Sequence, residues 1–294
     1  MIYLFLAIIS SVSISVILRV FDKKIENNMI LFAGNYVVCT VFSAIFGLSE
    51  NVFTPIEGTT TAAIIGLISG VFYLMGFVLL QVNIRRNGIM LAGLFMRLGV
   101  LVPLLMAIVF FKERPQVVEI IGIITAIAAI FVINLEKKAD GDSSVENTEV
   151  TAGPKSKAIY LLLLLLITGG LTDSFANIHD KMGNRACSDQ YLLITFSVAL
   201  LSSIVMAFVK KQSFRLTDFT IGMFVGFPNY FCSRFLLLSL SKLKAIVVYP
   251  VYNIATILLI SLCGIIVFRE KLTRNRLIGI IMVLAALVLL NIKI

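Results

Sequence analysis

The chain has 294 residues, 59% of them hydrophobic and 14% charged, with a formal net charge of +9. A soluble domain carries roughly 45–50% apolar and about 25% charged residues, so the excess excludes a water-soluble fold and makes lipid the main solvent. The positive balance does not point to nucleic acid, because the Lys and Arg residues fall in the short gaps between apolar runs, as membrane topology requires.

About 20 apolar residues cross a bilayer, and runs of that kind predict ten spans, at 2–20, 29–48, 60–82, 88–111, 116–135, 158–177, 189–209, 218–240, 244–268 and 274–292. The first run opens Met1-Ile2-Tyr3-Leu4 with no basic stretch before it and no cleavage site after it, and reads as a span rather than a removed signal. Charge or turn chemistry marks each break, as in Asp22-Lys23-Lys24, Arg85-Arg86-Asn87-Gly88, Lys112-Glu113-Arg114-Pro115 and Lys210-Lys211. One long polar stretch, 136–157, reads as a linker. It divides the chain into a first five-helix unit, 1–135, and a second, 158–294. Cys39, Cys187, Cys232 and Cys263 lack metal-type spacing and read as small packing residues, and a single histidine, His179, argues against a histidine metal centre. No metal or cofactor is expected.

The central linker prompts a search for repeats. Displacing the sequence by 157 residues sets Phe111-Lys112-Glu113-Arg114 on Phe268-Arg269-Glu270-Lys271, Ile121-Gly122 on Ile278-Gly279, Ala128-Ala129 on Ala285-Ala286 and Asn134 on Asn291. Gly66/Gly70 falls near Gly222/Gly226 with a displacement of 156. Five spans per copy is an odd number, so the second copy enters the membrane upside down. The expected fold is an all-α integral membrane protein of ten transmembrane helices in two inverted five-helix repeats. Inverted repeats generate two related conformations around a site near the midplane, as transporters require.

These residues carry a resemblance. Val109-Phe110-Phe111-Lys112-Glu113-Arg114 leading into Ile121-Gly122, and Ile266-Val267-Phe268-Arg269-Glu270-Lys271 leading into Ile278-Gly279, together with Pro103 and Pro250, resemble the drug/metabolite transporter (DMT) superfamily, EamA type. The resemblance covers essentially the whole chain. It implies a ten-helix carrier of small solutes that hydrolyses no ATP, with the fifth and tenth helices as scaffold. The first span departs from the small multidrug-resistance relatives: its polar positions are Ser10, Ser11, Ser13 and Ser15, with no embedded Glu, which argues against proton/cation exchange centred on such a Glu.

Charges inside spans are costly and need a partner or a water-filled cavity. Arg97 lies near mid-depth in span four without an acidic partner evident at its level, and suits a substrate carboxylate or phosphate. Asp173 in span six and Arg234 in span eight fall at similar depth and read as an ion pair or a gate. Tyr249, Tyr252 and Asn253 share one helix face by i, i+3, i+4 spacing, beside Pro250, which removes a backbone donor. Tyr230 with Ser233 and Arg234 forms a second face, adjoined by Asn229, and Tyr73 in span three is a further candidate for the pocket wall; Asn35-Tyr36 in span two are weaker ones. Glu113 and Glu270, at span ends among basic residues, read as structural end caps. The two Gly-x-x-x-Gly pairs suit close helix packing.

The basic residues concentrate on the face carrying the linker, which the positive-inside rule puts in the cytoplasm, leaving both termini outside. The leading function is a secondary transporter in the cell membrane for a small anionic or zwitterionic metabolite such as an amino acid or organic acid. Proton-coupled efflux of cationic drugs, anchored on Asp173, is the alternative. A membrane-embedded enzyme of lipid-linked substrates would need the clustered acids, histidines or metal that this sequence lacks. The partners expected are the solute, the lipid bilayer and, through Ala-rich faces such as that of Ala126, Ala128 and Ala129, a second copy of the chain.

Overall fold

The fold is taken from a computed structural model that describes residues 1–48, 53–87, 89–134, 159–267 and 274–291. All regular structure among them is helical: α1 Ile2–Phe21, α2 Asn28–Gly47, α3 Thr59–Asn87, α4 Ile89–Leu98, α5 Leu101–Val109, α6 Val117–Asn134, α7 Ile159–Met182, α8 Ser188–Val209, α9 Leu216–Leu240, α10 Ala245–Ile266 and α11 Arg274–Asn291. Seven are long and apolar enough to cross a membrane alone, and three shorter apolar helices, around 95–109, 117–132 and 277–290, complete ten spans. The protein is an all-α, multi-pass membrane protein. The 136–157 linker and Glu270 lie outside the described residues.

Span four is not the single helix its hydropathy predicts. It breaks at Gly99-Val100 into α4 and α5. Pro103 has no N–H to give the carbonyl of Gly99, and its ring would collide with that carbonyl in a regular helix. The local bonds shorten instead, Gly99 N–H to Met96 O (3.2 Å) and Val102 N–H to Gly99 O (2.9 Å). Pro250 sits one turn into α10 and leaves it continuous. Pro228, in the middle of α9, also stays within an unbroken helix.

The helices pack in pairs related by a pseudo-twofold axis. If α1, α2, α3, α4–α5 and α6 correspond to α7, α8, α9, α10 and α11, each major contact between halves has its counterpart. The α2–α9 contact matches α8–α3, α1–α9 matches α7–α3, and α1–α10 matches α7 against α4 and α5, while α2–α8, α5–α10 and α6–α11 are self-matching. The duplicated glycines lie in these contacts. Gly66 and Gly70 of α3 face Tyr191 and Thr195 of α8; Gly222 and Gly226 of α9 face Leu31 and Asn35 of α2. At Gly222 a Cβ would fall 2.0 Å from the carbonyl oxygen of Leu31, and at Gly34 one would fall 2.2 Å from that of Phe219, so α2 and α9 touch backbone to backbone.

Two main hydrophobic cores result, beside a small third cluster of Met29, Ile30 and Ala207, and each mixes the halves. One gathers Leu4 and Ile8 of α1, Leu104 of α5, Ile130 of α6, Ile254 of α10 and Leu290 of α11. The other gathers Tyr36 of α2, Ile65 of α3, Phe175 of α7, Phe196 of α8 and Tyr230 of α9.

Both ends of the bundle are tied across halves. On the face bearing the N-terminus, Glu113 accepts hydrogen bonds from the first N–H groups of α10, Ala245 (3.3 Å) and Ile246 (3.1 Å), and an ion pair from Lys181 (3.1 Å). Lys112, in the left-handed conformation at φ 52°, turns the chain at the end of α5, where the Glu113 N–H bonds Ala107 O at 2.9 Å, and so delivers Glu113 to the start of α10. On the opposite face the fully buried Asp218 accepts from the N–H groups of Glu26 (3.2 Å) and Asn27 (3.0 Å) at the start of α2, while Gln212 accepts from Met29 (3.2 Å) and Arg215 pairs with Glu26. Carboxylates at helix N-termini satisfy orphan donors and complement the helix dipole.

Candidate functional site

Asp173 lies on α7 at the seam between the two cores. The hydroxyl of Tyr249, from α10, donates to its backbone carbonyl at 2.7 Å. Tyr73 of α3, Tyr252 of α10 and Cys232 of α9 all lie close enough to feel the carboxylate charge. Tyr73 also meets Ser233, and Tyr252 meets Ser11 of α1 and the thiol of Cys232 (3.1 Å). Helices from both halves therefore converge on this carboxylate, which is itself only partly enclosed. Its side chain makes no hydrogen bond or ion pair among the described residues.

Arg97 occupies the last turn of α4, just ahead of the break at Gly99-Val100. It too is half-buried, and its guanidinium has no partner among the described residues. Gly99 rests against the backbone of Gly170 on α7, where a Cβ would fall 3.1 Å from the Gly170 nitrogen. The two helices run in the same direction, so Arg97 lies about five residues, roughly 8 Å along the axis, from the level of Asp173. A cation and an anion, each without a partner among the described residues, thus stand on neighbouring helices roughly 8 Å apart in depth.

The expected Asp173–Arg234 pair does not form. Arg234 bonds Asp189 at the start of α8 (Nη1 to Oδ1, 3.1 Å) and the Tyr230 hydroxyl (2.5 Å), and stacks over Phe46. The reason is the direction in which the long side chain reaches. Arg234, six residues from the end of α9, extends towards the N-terminal face to Asp189, the second residue of α8, whereas Asp173 lies deeper, nine residues from the end of α7. The residue placed opposite Arg234 is the acid that opens the next span. Asp189 was findable in the sequence as the first acid after the 183–187 break, provided that spans six and seven are bounded where the helices end rather than where apolarity ends.

The other polar candidates divide. Tyr230 is fully buried among Phe42, Phe46 and Phe231 and serves Arg234. Asn229 donates to Asn35 Oδ1 on α2 (3.1 Å), beside Cys39, and so bridges α9 and α2 away from Asp173. Asn253 donates back to the Tyr249 carbonyl (3.1 Å). In α1, Ser10, Ser13 and Ser15 bond carbonyls of their own preceding turn. No cluster of three potential metal ligands occurs among the described residues.

Beyond this seam, a cavity of about 200 Å³ opens towards the N-terminal face between the ends of α7 and α9 and the start of α8. Its wall holds two ion pairs, Arg234–Asp189 and Arg185–Asp180 (2.8 Å), and His179, which stacks on Tyr191 with ring centroids 4.6 Å apart.

Comparisons with known proteins agree with this architecture. Residues 1–135 match the EamA-like transporter family, and residues 190–283 match the Small Multidrug Resistance protein family. An uncharacterized protein of Haemophilus influenzae is 26% identical over 97% of this chain and 95% of its own length. A protein of known crystal structure superposes with a TM-score of 0.78 at 12% identity, over 99% of this chain and 95% of its own, and shares the fold. With ten apolar helices and a transporter family matched in each half, the chain belongs to the drug/metabolite transporter superfamily of membrane transporters.

Proposed function

We propose that this transporter is a secondary carrier in the cell membrane that moves a small zwitterionic or anionic metabolite by alternating access. One observation carries the reading: Arg97 and Asp173 are opposite charges inside the bundle, and neither side chain has a partner among the described residues. Each intramembrane charge costs roughly 2.5–3.5 kcal/mol on insertion scales, a cost offset when a solute supplies the missing counter-charge. A carboxylate on Arg97 and an ammonium on Asp173, roughly 8 Å apart in depth, describe an amino-acid-like solute, with Tyr73, Tyr249 and Tyr252 as its walls. The pseudo-twofold packing supports alternating access, because exchanging the roles of the two halves exchanges the open face. The linker face, rich in Lys and Arg, is the cytoplasmic one in this reading.

Flux into proteoliposomes across a panel of amino acids, organic acids and organic cations tests it. Arg97→Ala is expected to cut uptake of the active solute by about tenfold or more, the loss of one charge-assisted hydrogen bond, and Asp173→Asn to spare organic acids while reducing amino acids. The tyrosine rings around Asp173 favour one other reading, efflux of organic cations. That reading prevails if Arg97→Ala leaves flux intact and Asp173→Asn alone abolishes transport of a cation.

A further inference from the structure

We infer that the cavity on the N-terminal face is the solute's outer binding station and that the Arg234–Asp189 pair is the gate between it and Asp173. This inference rests on the central site proposed above and extends it to a route. Asp173, Asn177 and Asp180 follow i, i+4, i+7 spacing and so form one stripe along α7, about 10 Å from end to end. Asp180 lines the cavity and Asp173 the seam; Asn177 lies between them. Asn177 is 1% exposed, yet neither its amide nitrogen nor its amide oxygen has a hydrogen-bond partner among the described residues. A buried amide left open at both ends is costly, and a donor and an acceptor together match a solute with both polarities passing along the stripe.

The opposite wall of the route comes from α9. Ser233 faces Tyr73 on the seam side, and Arg234, Leu237 and Ser241 face the cavity. Between the two levels stands Arg234, bonded to Asp189 and Tyr230. The cavity is below the roughly 300–1,000 Å³ of pockets for drug-sized ligands, so it suits a small metabolite. Its wall has two guanidiniums and two carboxylates already paired. A singly charged ligand could replace only one member of the gate pair and would strand the other, and an unpaired buried charge is strongly penalised. A zwitterion replaces both at once, carboxylate to Arg234 and ammonium to Asp189, and opens the gate without leaving a charge alone.

Thiol labelling of the full chain in proteoliposomes tests the route without needing the solute. Cationic and anionic methanethiosulfonates are applied from the N-terminal face to Ser188→Cys, in the cavity, and to Asn177→Cys, beyond the gate, with labelling of the parent protein subtracted. Ser188→Cys is expected to label readily in every background. Asn177→Cys is expected to label slowly, then about tenfold faster once Arg234→Gln or Asp189→Asn breaks the pair. Arg234→Gln should favour the cationic reagent and Asp189→Asn the anionic one, because each leaves the opposite charge at the constriction. Ser233→Cys, on the inner side of the same gate, gives the same readout should Asn177→Cys not fold. An unchanged rate at both inner positions when the pair is broken, or no shift in charge preference, overturns the proposal. Flux that fails to respond to Arg97→Ala and Asp173→Asn while labelling behaves as expected would instead overturn the central site and leave the route standing.

Discussion

The two ends of the bundle solve one problem by different means. Each joins the halves by laying a carboxylate on the N-terminus of a helix from the other half: Glu113 on α10 at one face, Asp218 on α2 at the other. Around Asp218 the clamp is made of hydrogen bonds, two to its buried carboxylate and one each to Gln212 and the Ser213 carbonyl, with the Arg215–Glu26 ion pair at its exposed edge. Around Glu113 it is ionic, with Lys181 on the carboxylate, and two more ion pairs line the adjacent cavity. Hydrogen bonds to a fully buried carboxylate are little screened by salt, whereas partly exposed ion pairs are screened and exchange partners easily. The difference makes the N-terminal face the more salt-sensitive of the two.

Removing the buried clamp should have the largest effect. Asp218→Ala strands two N–H groups and deletes two charge-assisted hydrogen bonds, an expected loss of about 3 kcal/mol, read as a fall in thermal unfolding temperature in detergent; no loss would show that the linker face is not held by this contact. Glu113→Ala should cost less, about 2 kcal/mol, because its end of the bundle is wetter. Raising salt to roughly 1 M, where the screening length is about 3 Å, should narrow the gap between wild type and Glu113→Ala but not that between wild type and Asp218→Ala. Equal salt responses would erase the distinction between the faces. The smallest effect is expected at Lys112, whose φ of 52° suits glycine: Lys112→Gly should be neutral or stabilising by up to about 1 kcal/mol, and Lys112→Val destabilising, since it strains the turn that aims Glu113.

Much of the architecture is legible in the sequence because lipid imposes it. Apolar runs of spanning length, the charged tetrapeptide repeated at Phe111 and Phe268, and the paired glycines all reflect constraints local to one helix or copied between halves. Glycine spacing indicates that something approaches closely, though only the fold shows that Gly222 meets Leu31. The site was less legible. Arg97 and Asp173 stand out as charges within apolar runs, because hydropathy alone reveals them. The partner of Arg234 did not, because pairing depends on which way a long side chain reaches, and α7 extends to Met182, five residues beyond its apolar run. Asn177 gives no sign in the sequence: an asparagine in a span looks ordinary until both ends of its amide are found without partners among the described residues. The break in span four was half legible, since Pro103 announces a disturbance but not that Gly99 and Val100 absorb it.

The backbone contact between α2 and α9 has a mechanical consequence. Two helices pressed together with no side chain between them cannot slide far or part without losing the whole contact, so they travel as one stiff member although they come from different halves of the chain. The same holds for α3 against α8. A plane of flexing that left these contacts intact would cut across both halves, between the core of α2, α3, α7, α8 and α9 and the core of α1, α5, α6, α10 and α11. The linker joins two sequence repeats, whereas the stiff members are woven from both.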